Sequence, residues 1–407
     1  MSDSLDRRLG LTDTVVVGLG AMIGAGVFVV FAPAATAAGS SLLLGLALAA
    51  VVAYCNATSS ARLAVRYPTS GGTYVYGRER LGPFWGYLAG WSFVVGKTAS
   101  CAAMALTVGL YVWPGQAHVV AVAAVVALTA LNYTGVRKTA LLTRVIVAIV
   151  LVVLAVVVAM GLSGGTVDLE HLVPTGVAGV PQAAGLLFFA FAGYARVATL
   201  GEEVRDPART IPRAISVALV ITLIVYTAVA VTVLSVLGPD RLAASTAPLA
   251  DAVRAAGAPG LAPLVTVGAA IAALGALLAL ILGVSRTVLA MARDRHLPVA
   301  LAAVHPRFAV PHRAELAVGV VVAVAAATAD LRAVIGFSSF GVLLYYAVAN
   351  ASAWTLDRRR WLVPGVGFAG CVLLAFTLPT ASVLSGAAVV ALGAVLYGVR
   401  SGARPSD

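Results

Sequence analysis

Long apolar runs, separated by short polar ones, set the pattern of this chain. Twelve of them can be marked, at approximately 14–38, 41–64, 83–112, 117–135, 140–162, 181–202, 212–237, 260–290, 314–330, 333–354, 362–379 and 381–399. Most reach the ~20 residues that a helix needs to cross the hydrocarbon layer of a bilayer. The last four are the least separated, because only Asp330–Arg332 and Pro379–Thr380 interrupt the long apolar runs there. The pattern predicts twelve membrane-spanning helices in an all-α polytopic protein.

The first run contains a stretch that does not suit a helix. Gly18, Gly20, Gly24 and Gly26 fall within nine residues, and each glycine costs a helix about 1 kcal/mol against alanine. They lie near the expected middle of the span. There the backbone can leave helical geometry only where it lines a cavity or is buried in protein. A break at Gly24-Ala25-Gly26 would free N–H groups at the start of a half-helix, Val27–Ala38. With the positive end of the half-helix dipole, those groups make a site for a carboxylate. Close helix packing through small residues is the competing account.

Composition fits a membrane protein: 61% of the 407 residues are apolar and 11% charged, and the mean hydropathy is +1.01. The polar start, Met1–Asp13, carries Arg7 and Arg8 and leads into a segment without the character of a cleaved signal. Cys55, Cys101 and Cys371 lie in separate apolar runs, with neither metal nor disulfide spacing. The net charge of +11 would suit nucleic acid, but its distribution points elsewhere. With the N-terminus inside, twenty-two of the 27 Lys and Arg residues fall on the cytoplasmic side and three outside. Lys97 and Arg196 alone fall within spans. This asymmetry orients the chain with both termini cytoplasmic. It assigns the basic charge to anionic lipid and leaves no nucleic-acid partner to invoke.

Carriers built from two inverted halves begin each half with a broken helix. If the first five spans form one half (14–162), the sixth should be the second broken one. It contains Phe188-Phe189-Ala190-Phe191-Ala192-Gly193, with the small pair Ala192-Gly193 near its middle. The second half is then 181–354, and 362–399 is a pair of accessory helices suited to structural or homo-oligomer contacts.

Four motifs, in order along the chain, carry a family resemblance. They are Gly24-Ala25-Gly26-Val27-Phe28, Tyr67-Pro68 with Ser70–Tyr76, Phe188–Gly193 with Glu202–Ile215, and Ser285-Arg286 followed by Met291–Asp294, Leu297-Pro298 and His305–Pro311. Together they resemble the amino acid permeases of the amino acid–polyamine–organocation superfamily. The resemblance implies the LeuT-like 5+5 inverted-repeat fold, with helices 1 and 6 broken, and alternating-access transport of an amino acid across the plasma membrane. The residues themselves suggest no enzyme, cofactor or metal, since the sequence offers no nucleotide loop, metal cluster or nucleophile with a His–Asp partner.

The resemblance also assigns roles. The substrate carboxylate would meet N–H groups of Ala25 and Gly26. Its ammonium would meet carbonyls at Met22, Phe189 and Ala192. Met22, Ile23, Gly24, Ala25 and Gly26, with Phe189, Ala190, Phe191, Ala192 and Gly193, therefore make up the expected binding site. Phe189 takes the position of the family's aromatic gate, and Phe191 and Tyr194 flank the break. With small residues, two phenylalanines and no acid, the site predicts a neutral or apolar amino acid.

The chain departs from the family where coupling is concerned. The lysine that many proton-coupled members carry in span 5 is replaced by Val150, and Ala195 stands where several relatives have an acid after the second break. Lys97, near mid-depth in span 3, is a candidate for the missing amine, because an ammonium there costs at least ~2.5–3.5 kcal/mol on insertion scales. An ammonium held by carbonyls with no proton role is the alternative. Arg196 is expected to pair with Glu202 or Glu203, within a cytoplasmic charge cluster resembling a gate. The sixteen Asp and Glu residues fall in loops or near span ends, and all five histidines in loops, which disfavours a buried carboxylate relay. The expected coupling ion is a proton, with sodium less favoured and Ser285 its one noted ligand candidate. An exchanger or exporter, a polyamine carrier and a non-transporting amino acid sensor are the other readings. Polyamines lack the carboxylate that the first break would bind, and a sensor usually carries a soluble domain for which the chain has no room.

Overall fold

The computed structural model describes residues 9–68, 71–135, 140–164, 167–198, 203–308 and 310–402. Seventeen α-helices occur among them. In the first part of the chain they are α1 (Leu11–Met22), α2 (Gly26–Val29), α3 (Phe31–Ala38), α4 (Leu42–Arg66), α5 (Thr73–Leu81), α6 (Pro83–Val112), α7 (Ala117–Tyr133) and α8 (Ala140–Ser163). The second part holds α9 (Val180–Phe191), α10 (Ala195–Ala198), α11 (Pro207–Ala244), α12 (Pro248–Ala255), α13 (Ala262–Arg293), α14 (His312–Thr328) and α15 (Leu331–Trp354). Two more, α16 (Leu362–Phe376) and α17 (Thr380–Gly402), follow. Among the described residues nine helical stretches are long and apolar enough to cross a membrane, while α9 and α16 are apolar but shorter. The chain is an all-α, multi-pass membrane protein.

Small residues decide where these helices cross. A β-carbon at Gly96 on α6 would fall 3.1 Å from the Ser338 carbonyl oxygen on α15, and one at Gly341 on α15 would fall 3.0 Å from the α-carbon of Gly96. The two helices thus meet glycine to glycine. On α4, a β-carbon at Gly45 would meet Ala183 of α9 at 3.0 Å. Lipid tails are as apolar as leucine, so helices gain from association in a membrane mainly by such close packing. Asp330 caps α15, its carboxylate accepting the N–H groups of Arg332 (2.9 Å) and Ala333 (3.2 Å). That cap explains why so short a turn separates two helices.

Two elements lie in stretches expected as loops. The segment after α11 forms α12, which buries Leu249, Ala250, Ala252 and Val253 against α8, α11 and α13 and reaches α2. The segment after α4 forms α5, where Tyr345 on α15 accepts the Thr73 N–H at 3.1 Å. Helix α11 is longer than the expected 212–237 and continues through a kink at Gly238, whose φ of 73° is left-handed. A β-carbon there would press on the His171 ring at 2.9 Å, so glycine is required on both counts.

Candidate functional site

The first apolar run is broken one residue earlier than the glycines suggest. α1 ends at Met22, Ile23 leaves helical geometry at φ −82°, ψ 57°, and α2 begins at Gly26. Beyond the break, the Val30 N–H reaches the Gly26 carbonyl (3.0 Å) and the Ala34 N–H reaches Val30 (3.2 Å). Hydrogen bonding therefore runs on from α2 into α3, and 26–38 acts as one half-helix with a loosened turn. The second break follows α9, at Ala192, Gly193 and Tyr194, and α10 resumes with the Arg196 N–H on the Gly193 carbonyl at 3.0 Å.

The two breaks face each other at backbone distance. A β-carbon at Gly193 would fall 2.2 Å from the Ala21 carbonyl oxygen and 2.6 Å from the Met22 nitrogen. Only a residue without a side chain lets these peptides approach so closely. At Gly26 the neighbour is Ala190, 3.0 Å from the same virtual atom, with the Phe189 ring at 3.7 Å. Gly24 faces Ala276 of α13 at 3.2 Å. The structure therefore brings Met22–Gly26 and Phe189–Gly193 into one buried cluster, with Ala25 at 0% exposure and Phe189 at 7%.

Side chains from three other helices engage the freed carbonyls. The Tyr226 hydroxyl on α11 lies 2.6 Å from the Met22 oxygen and 3.1 Å from the Ala190 oxygen, so one O–H spans both breaks. The Lys97 ammonium on α6 donates to the Ala192 carbonyl at 3.1 Å. Tyr346 on α15 donates to the same oxygen at 3.3 Å. Tyr111 on α6 donates to Phe28 beyond the first break at 2.8 Å. Aromatic rings brace the second break: Phe191 meets Tyr226 edge-on at 5.0 Å, Phe188 meets Tyr346 at 5.7 Å, and Tyr194 lies 4.9 Å from Tyr346.

Two of the carbonyls assigned to a substrate ammonium, Met22 and Ala192, thus already accept protein donors. A carbonyl oxygen has two lone pairs, so Met22 keeps one acceptor position beside Tyr226. Ala192 accepts from both the Lys97 ammonium and the Tyr346 hydroxyl, so the protein's own cation takes the place expected there for a substrate ammonium. Sequence reasoning missed Tyr226 and Tyr346. A tyrosine in an apolar helix carries no motif, and its role comes only from the helix packing.

Val150, where the family has its lysine, is fully buried on α8. Ser285 bonds locally to the Leu282 carbonyl at 3.1 Å. Arg196 is half-buried and acts electrostatically with Arg286 and Glu203, while Glu202 lies outside the described residues. The Glu203 carbonyl accepts the Leu9 N–H at 3.0 Å and the Leu9 carbonyl accepts the Arg205 N–H at 2.9 Å. This short parallel bridge clasps the start of the chain to the segment after the second break. Arg144 pairs with Asp13 beside it.

The second and fourth motifs also meet. The Tyr74 hydroxyl donates to the Asp294 carboxylate and lies 2.9 Å from His296 Nδ1, and Arg78 pairs with Asp294 at 3.1 Å. Burial and the Asp294 carboxylate push the Tyr74 hydroxyl above the usual tyrosine range, so it stays a neutral donor. Two of the histidines expected in loops are helical: His118 opens α7, 2.8 Å from the Ala326 carbonyl, and His312 opens α14.

Known proteins bear on this arrangement. Residues 13–391 match the family model described as amino acid permease. An uncharacterized transporter of Mycobacterium tuberculosis is 71% identical over 405 residues, covering 98% of this chain and 92% of the relative. A branched-chain amino acid permease of Bacillus subtilis is 25% identical, over 97% of this chain and 93% of its own length. The human cationic amino acid transporter 4 is 30% identical, over 88% of this chain and 61% of its own. A helical membrane chain whose match to this family's model takes in both breaks belongs to the amino acid permease family, and it is a transporter rather than an enzyme.

Proposed function

We propose that this permease carries a neutral or apolar amino acid across the plasma membrane by alternating access, with the substrate bound between the two breaks. The observation that carries the reading is the direct approach of Gly193 to the Ala21–Met22 peptide, with the Tyr226 hydroxyl between the Met22 and Ala190 carbonyls. Main-chain groups freed at two facing breaks supply donors for a carboxylate and acceptors for an ammonium. In this reading the chain has twelve spans, 14–162 and 181–354 are inverted repeats, 362–399 is accessory, and both termini are cytoplasmic. The side-chain preference rests on the apolar walls around Phe189 and Phe191, which offer no acid to a cationic substrate. The branched-chain amino acid permease relative supports it. The cationic amino acid transporter relative sets the competing substrate class.

Coupling is to a proton in this reading, and Lys97 is the candidate group among the site residues, because it joins the second break through Ala192. The test is uptake of single labelled amino acids into proteoliposomes under an inward proton gradient, a sodium gradient, or neither. Leucine or alanine uptake driven by protons, and lost in Lys97→Ala, is the expected result. Preferential uptake of arginine or lysine overturns the substrate class. Uptake indifferent to both gradients but accelerated by amino acid inside the vesicle means exchange.

A further inference from the structure

Glu315 is a buried charge that the site does not use. It sits in the first turn of α14, near a span end as the sequence suggests, yet it is 0% exposed. Neither of its carboxylate oxygens has a hydrogen-bond partner. Two further buried polar atoms nearby along the same helices are also unpartnered, His312 Nδ1 and Thr129 Oγ1. His312 precedes Glu315 by three residues and so shares its face. Thr129, on α7, faces the next turn of α14, where a β-carbon at Gly319 would fall 2.7 Å from its Oγ1.

A carboxylate sealed from water without an ion pair is costly, and such a group neutralises instead. The charged neighbour that acts on Glu315 is Arg286 of α13, an exposed residue. Arg286 also acts on Arg196, one turn beyond the second break. Arg293, the other charged residue of α13, is exposed at its C-terminal end. The only charged side chain of α6, Lys97, bonds Ala192. On α7, Asn132 donates to the Leu278 carbonyl at 3.3 Å, and Tyr133 packs against the His305 and His312 rings. Arg313 donates to the Ala300 carbonyl at 3.4 Å, and His305 Nδ1 faces the Arg307 and Phe308 N–H groups at 3.2 and 3.3 Å.

We propose that Glu315 is a proton-binding site whose occupancy controls the transport cycle. With the proton on a Glu315 oxygen, the carboxyl is neutral and stays sealed. Loss of the proton leaves a carboxylate with no donor on either oxygen, a charge that the first turn of α14 can keep only by opening to water or to a cation. The control of transport rests on the permease reading; the proton site itself does not.

Two measurements separate them. Infrared difference spectra of purified wild type against Glu315→Gln should contain, at neutral pH, a neutral-carboxyl band that disappears on alkalinisation. The absence of such a band overturns the proton site, as does a band abolished by sodium at constant pH. In proteoliposomes loaded with leucine, Glu315→Gln should keep leucine counterflow while losing about tenfold of the acceleration by an inward proton gradient, the size of a typical coupling free energy. Glu315→Asp should restore part of it. Equal acceleration in wild type and Glu315→Gln overturns the control by Glu315. Absence of counterflow in wild type counts against the permease reading, while the infrared result still decides the proton site.

Discussion

The two breaks interrupt their helices by different means. The first is written in glycine: Gly24 and Gly26 bracket Ala25, and the half-helix resumes at Gly26. The second has a single glycine, Gly193, and is held by side chains sent from other helices. Lys97 and Tyr346 both donate to the Ala192 carbonyl, and aromatic rings pack on Phe188, Phe191 and Tyr194. The first break is thus opened by residues without side chains, while the second is held by donors that already occupy its Ala192 carbonyl. Tyr226 links the two, lying on one carbonyl from each side.

This comparison is most strongly broken at Gly193. A methyl group there would overlap the Ala21 backbone oxygen at 2.2 Å, and backbone cannot yield as a flexible side chain can. Gly193→Ala should abolish uptake and lower stability by about 1–3 kcal/mol or more, the cost of overpacking. A thermal-unfolding assay on purified protein together with vesicle uptake checks both. Wild-type uptake in that variant would mean that the breaks do not meet during transport.

Tyr226→Phe tests the link between the breaks. It removes one hydroxyl and leaves the buried Met22 and Ala190 carbonyls short of a donor, a loss of roughly 1–3 kcal/mol. Uptake should fall about tenfold or more, with little change in expression. An unchanged rate would make the hydroxyl a bystander.

Gly26→Ala should have the smallest effect. Its β-carbon would meet the α- and β-carbons of Ala190 at 3.0 Å, a contact relieved by a few tenths of an ångström. A rise of about threefold in the half-saturating substrate concentration, at nearly constant maximal rate, is expected of a change in binding alone. A larger fall in the maximal rate would instead make the Gly26–Ala190 contact part of the conformational step.

Much of the architecture was legible in the linear pattern. Apolar runs of spanning length are properties of segments, and hydrophobic partitioning acts segment by segment. The location of the first break was legible for a related reason, since glycine weakens a helix wherever it stands. Its boundary was not: α1 lets go at Ile23, one residue before Gly24. The helix α12 also escaped notice, since Pro248–Ala255 is too short to announce itself and is ordered by burying Leu249 and Val253.

The sequence by itself determined that this is a many-helix membrane chain with weak points at Gly24–Gly26 and Ala192-Gly193, and it pointed to the permease family. Only the tertiary structure decided what each polar group inside that chain answers to. Lys97, Tyr226 and Tyr346 converge on freed carbonyls from three different helices, whereas Glu315 is sealed with neither oxygen hydrogen-bonded. Hydropathy is a sum over neighbours along the chain. A hydrogen bond or its absence is fixed by atoms that are distant in sequence and within about 3 Å in space, and no local pattern records that distance.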